Sequence, residues 1–157
     1  MNAHNVRKFR LRRAAILEHL KENISRMSRK KKFYGHCYKH LYTEDHELIR
    51  WTLDPANRFG GSCFYFKEYS DLKRWLVYQI KRSPVIDEIA AWLAEGSPSC
   101  VFYIDAMNIG KAYLKRGHDW KSGALCCDQA IIVLERCCPD DMDNLDFFIK
   151  TAYPLPE

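Results

Sequence analysis

The sequence predicts an α+β fold, with N-terminal helices packed on one face of a twisted, mostly antiparallel sheet of four to five strands. Three observations carry this. Before Pro98 apolar residues recur mainly at helical spacing, and after it they recur at strand spacing. The later segments are separated by short breaks rich in Gly, Asp and Asn, as hairpin-linked strands require. A chain of 157 residues has single-domain length, and such a chain buries roughly two-thirds of its unfolded surface around one core.

From Phe9 to Met27, Ile16, Leu17, Leu20, Ile24 and Met27 form an apolar stripe, with Arg10, Arg12, Arg13, Lys21 and Arg26 elsewhere on the surface. That pattern predicts an amphipathic helix. "SRKKK" at 28–32 reads as a linker, and a short helical or irregular piece then carries His36 and His40. Thr43 precedes "EDHELIRWTL", whose early acidic residues and late Arg50 suit a helix dipole, so a helix is expected over 44–52. "DPANRFGG" is a loop and "SCFYF" at 62–66 a strand. Ser70 is placed to cap a helix reaching Arg82, with Leu72, Trp75, Leu76, Tyr78, Gln79 and Ile80 covering its faces. Ser83 and Pro84 open a further helix that runs to about Ala94 and ends at Gly96. "CVFYIDAM", "GKAYLKR", "QAIIVLERCC" and "LDFFIKTAY" read as four strands, separated by "NIG", "GHDWKSG" and "PDDMDN", and Pro154 is expected to stop the last.

Composition excludes some classes of function. The longest apolar runs, "AIIVL" and "CVFYI", are far short of the roughly 20 residues a membrane span needs. The basic N-terminus lacks the apolar core and cleavage site of a secretory signal, so a cytoplasmic protein is expected. Seven cysteines, with adjacent pairs at 126 and 137, suit neither a disulfide framework nor zinc knuckles. Most of them read as small apolar residues in a reducing compartment. Charge is uneven: residues 1–32 hold eleven Lys or Arg against Glu18 and Glu22, a net +9, while the remainder is net −4. Such a segment can hold a polyanion by releasing counterions, or can simply be a solvated helix face.

The stretch "YGHCYKH" at 34–40 is where chemistry could sit. If it is helical, His36 and His40 at i and i+4 share a face, and a neutral imidazole is well suited to move a proton near pH 7. Lys39 and Arg50 supply cations for a phosphate. In the alternative reading His36 caps or packs a helix and His40 is a surface residue; His36, Cys37 and His40 could also ligate zinc, although no second ligand cluster has ordinary spacing. In "FFIKTAYP", strand alternation puts Thr151 and Tyr153 on one face, and Lys150 and Ala152 with Phe148 on the other. Thr and Tyr are also ordinary strand formers.

Taken in order, the Gly-His opening, the second histidine, the short acidic helix with its arginine, the loop into "SCF", the helix ending "IAAWL", the strands and the closing "TAYP" resemble a known family. They look like ribonuclease toxin domains of the barnase, EndoU, colicin and RelE-like superfamily. The likeness is nearest to the ribonuclease-A-like toxins of contact-dependent growth inhibition and to related phage-borne nucleases. It covers roughly residues 34–154. Residues 1–33 lie outside it as a basic helix and linker, leaving 34–157 as a ribonuclease-like α+β domain. The resemblance implies that His40, Arg50, Thr151 and Tyr153 form the active site, with His36 as a second proton carrier and Lys39 and Lys150 binding substrate. Two departures stand out: the histidines are one residue closer together than is usual, and Arg50 falls about one position early, which makes Lys39 its stand-in.

The implied reaction is metal-independent and cofactor-free. The ribose 2′-hydroxyl attacks the adjacent phosphorus and leaves a 2′,3′-cyclic phosphate and a 5′-hydroxyl. Such chemistry needs a proton acceptor, a donor to the leaving group and stabilisation of the phosphoryl oxygens. Implied partners are RNA, tRNA among the candidates, and an antitoxin or immunity protein expected to be acidic. The competing expectation is a non-catalytic module of a phage or mobile element that binds RNA or protein on the same fold.

Overall fold

The amphipathic stripe of the N-terminus forms helix α1 (Ala3–Arg26), with Ile16, Leu20, Ile24 and, just past its end, Met27 buried. It starts six residues earlier than the apolar stripe, because nothing between Ala3 and Lys8 breaks a helix. The computed structural model describes residues 3–27, 36–82, 84–95, 97–136 and 147–156, and residues 3–11 as backbone only. The "SRKKK" linker, Ser83, Gly96 and the "CC" pair at 137 lie outside the described residues.

A 3-10 turn, Cys37–His40, precedes α2 (Asp45–Leu53), β1 (Gly60–Phe64), α3 (Tyr69–Lys81) and α4 (Val85–Glu95). Three further strands follow, β2 (Ser99–Leu114), β3 (Leu125–Arg136) and β4 (Phe147–Leu155), and the four strands form one antiparallel sheet in the order β1-β2-β3-β4. This is the expected α+β arrangement of helices and antiparallel sheet.

Beyond the earlier starts of β1, at Gly60 rather than Ser62, and of β3, at Leu125 rather than Gln129, two details of the sheet differ from the sequence reading. "CVFYIDAM" and "GKAYLKR" are one strand, because "NIG" does not reverse the chain. Asn108 adopts φ 50, which Asn tolerates, with its N–H bonded to the Asp128 carboxylate at 2.6 Å. Gly110 serves close approach: a Cβ there would lie 2.3 Å from the Cys63 carbonyl oxygen. The second difference is that β4 continues through Pro154 to Leu155. β4 lies at the sheet edge, where a proline is tolerated within a strand.

The chain packs as two units, the first of residues 1–35, 73–102 and 133–150, and the second of 36–72, 103–132 and 151–157. In the first, α1 packs on α4, and Arg13 pairs with Asp87 at 3.1 Å. His19 Nε2 lies 2.7 Å from the Phe147 carbonyl, and the Ile149 N–H donates to Asn23 Oδ1 at 3.1 Å. Residues i and i+4 of α1 thus satisfy backbone groups at i and i+2 of the edge strand β4, which would otherwise present a bare hydrogen-bonding edge. Trp92 meets Phe147 edge-on with centroids 5.7 Å apart.

In the second unit, β1 pairs with β2 from Gly60 opposite Leu114 to Phe64 opposite Gly110. Helix α2 packs on β1. Leu48 joins Cys63 and Tyr113 in a buried cluster flanked by Trp51 and Trp120. The approach is close, for a Cβ on Gly61 would come within 2.7 Å of the Leu48 carbonyl. Thr52 Oγ1 donates to the Leu48 and Tyr113 carbonyls, and Asp45 accepts from Lys111 at 2.5 Å and from the Tyr113 hydroxyl at 2.9 Å. The Lys111 ammonium beside it holds the Asp45 carboxyl below the usual range.

Candidate active site

The second unit contains a cleft of about 670 Å³. His36, Lys39 and His40 contribute to it from the 3-10 turn, Ser62 and Ala112 from β1 and β2, and Thr151 and Tyr153 from β4. The turn is anchored by Cys37, which is fully buried with its thiol against the Ala152 backbone. Burial pushes that thiol up to about 12, so Cys37 is an inert packing residue near neutral pH. Anchoring Cys37 leaves the flanking imidazoles His36 and His40 at the cleft, with ring centroids 6.2 Å apart.

His40 is the more constrained of the two. Its Nδ1 lies 3.2 Å from the Ser62 carbonyl oxygen, and its ring is 5.3 Å from that of Tyr153. A carbonyl only accepts, so this bond requires Nδ1–H, and in the neutral ring Nε2 then carries the lone pair. Burial pulls the His40 pKa down to about 4, with the bond to Ser62 opposing that shift and the neighbouring His36 and Lys39 reinforcing it. The ring is neutral at pH 7, with Nε2 as its proton acceptor.

Thr151 is only 6% exposed, and its buried hydroxyl oxygen has no hydrogen-bond partner. An unsatisfied buried hydroxyl costs on the order of 1–3 kcal/mol. Thr151 also lines the cleft, so a ligand oxygen that reached this hydroxyl would supply its missing partner. Tyr153 is half-buried, and burial raises its phenol pKa, keeping it a protonated hydrogen-bond donor. Lys39 is exposed at the cleft wall.

The structure therefore brings His36, Lys39, His40, Thr151 and Tyr153 to one cleft. Arg50 is not part of its lining: the side chain is 74% exposed and its guanidinium pairs with Glu47 at 2.7 Å, one turn away on α2. Lys150 belongs to the other unit, where it pairs with Glu135 at 2.8 Å. Sequence reasoning did not single out Trp51, Asp54, Asn57 and Phe59, which form a further part of the wall. The only signal for them is an aromatic residue inside an otherwise turn-forming loop, "DPANRFGG".

Among the described residues no group of three or more His, Cys, Asp or Glu side chains could hold a metal ion, and no helix is long and apolar enough to cross a membrane. The chain matches no family model, no curated protein and no solved structure.

Proposed function

We propose that the cleft is the active site of an endoribonuclease of the toxin type, cutting RNA without a metal by attack of the ribose 2′-hydroxyl. The observation that carries this reading is the pairing, in one cleft, of a neutral His40 whose Nε2 bears the lone pair with a buried Thr151 hydroxyl that lacks a partner. His40 Nε2 takes the 2′-hydroxyl proton as the oxygen attacks phosphorus. Thr151 and Tyr153 donate hydrogen bonds to the phosphoryl oxygens as their charge grows. Lys39 supplies the cation there, in the place the resemblance gives to arginine. His36 returns a proton to the departing 5′-oxygen. The products are a 2′,3′-cyclic phosphate and a 5′-hydroxyl.

The basic segment at 1–32 then serves as a contact surface for RNA or for an acidic neutralising protein that shields a cytoplasmic host. The position of Arg50 outside the cleft favours a second reading, a binding module on the same scaffold that has lost its phosphate clamp.

A short RNA and its copy with one 2′-deoxy position at the cut site separate the two. An enzyme of this kind cleaves the first to a cyclic phosphate and leaves the second whole at that position. Cleavage of both, or 3′-hydroxyl ends on the fragments, contradicts the mechanism.

A further inference from the structure

Phe59 is 81% exposed, although it borders the cleft in the loop between α2 and β1. Exposed phenyl surface is unfavourable in water, and a loose loop would fold it away. This loop is pinned. Asn57 Oδ1 accepts the N–H groups of Phe59 at 3.0 Å and Gly60 at 2.9 Å, and Asn57 Nδ2 donates to the Gly60 carbonyl at 2.5 Å. The Lys115 N–H donates to the Phe59 carbonyl at 2.9 Å, and its ammonium to the Asp54 carbonyl at 2.7 Å. At Gly60 even a methyl group is excluded, because a Cβ would fall 2.0 Å from the Tyr113 carbonyl. The chain thus pins the backbone of a residue whose aromatic ring stands in solvent beside a cleft that Trp51 also lines.

From this geometry we infer that Phe59 is a stacking platform for an unpaired nucleobase of the RNA, next to the nucleotide that is cut. The inference rests on the ribonuclease reading of the cleft. A flat, rigid apolar ring offers little to phosphate or ribose, whereas every base has a π-face, and aromatic side chains bind single strands through it with little regard to sequence. A paired base is already stacked on its neighbours and cannot use the ring. The substrate is therefore single-stranded RNA, or a loop within a folded one.

The test uses the full chain and a short single-stranded 2′-O-methyl RNA, which lacks the nucleophile and cannot be cut. Its counterpart has internal abasic sites that keep the phosphates and remove the bases. Fluorescence anisotropy is expected to show wild type losing about tenfold or more in affinity when the bases are removed. Phe59→Ala should bind both strands equally weakly, and Phe59→Trp should restore the difference. A wild type indifferent to base removal or failing to bind, or Phe59→Ala retaining the full difference, overturns the inference. The two readings fail separately: base-dependent binding without RNA cleavage removes the enzyme and keeps the platform, while cleavage that depends on His40 with no effect at Phe59 removes only the platform.

Discussion

His40 carries two consequences of burial. At pH 7 the folded and unfolded states both hold a neutral ring. As pH falls below 6.5 the unfolded state gains a proton that the folded state refuses until about pH 4. Stability is thus fully present above pH 6.5 and is lost progressively between there and pH 4. His40→Gln is expected to remove this loss, so that urea unfolding of the variant falls less between pH 7 and pH 4.5 than that of wild type. Asp45 contributes below this window, since its depressed carboxyl pKa withdraws stability only under pH 3.8. In the proposed reaction the same shift sets the acid limb of the pH profile: a base must be neutral in the free protein, so lowering the pH should cost kcat/KM through His40 only below about pH 4. Activity that is highest below about pH 4 and already lost by about pH 5 would make His40 the acid instead. Thr151 gives a test with opposite signs. Thr151→Val discards a hydroxyl that has no partner in the free protein, so thermal stability should be unchanged or higher by about 1 kcal/mol. Cleavage, by contrast, should drop on the order of 10- to 100-fold with the lost donor.

At the scale of elements, the wall of the cleft depends on how α2 sits on the antiparallel β1–β2 pair. Lys111 is 8% exposed and bonds Asp45 at the first turn of α2, and Gly61 permits the close contact further along. Asp45→Asn leaves a buried ammonium without its counter-charge and should cost about 2–3 kcal/mol in chemical denaturation. Adding Lys111→Met should recover most of that loss, because the desolvated charge goes with it. Much of this layer was legible in the chain. The acidic opening of α2 and the Pro84 start marked helices to within a residue or two, since these signals are local, and the stripe of Ile16, Leu20 and Ile24 marked α1 although its start lies six residues earlier. The fusion of two predicted strands into β2 was not legible: "NIG" has turn composition, and only the carboxylate of Asp128 and the proximity of Cys63 show that its Asn and Gly serve a continuous strand. The role of His19 and Asn23 in closing the edge of β4 was equally hidden, as their partners lie 128 and 126 residues away.

At the scale of the whole molecule, proximity in sequence was a poor guide to the site and chain-distant convergence the informative feature. The segments around His40 and Thr151, more than a hundred residues apart in the sequence, meet at one cleft, whereas Arg50, ten residues from His40, points to solvent beside Glu47. Thr151 and Tyr153, which strand alternation groups on one face, both line the cleft. Nothing in a linear pattern told which face of α2 its arginine would take, since one residue of register turns a helical side chain by about 100°. The measurement that tests the account most directly is digestion of total cellular RNA by the purified chain in excess EDTA, with His40→Ala, checked for intact folding, in parallel. Wild type is expected to give metal-free fragments ending in 2′,3′-cyclic phosphate and the variant none. Undigested RNA in both, or equal digestion by both, contradicts it.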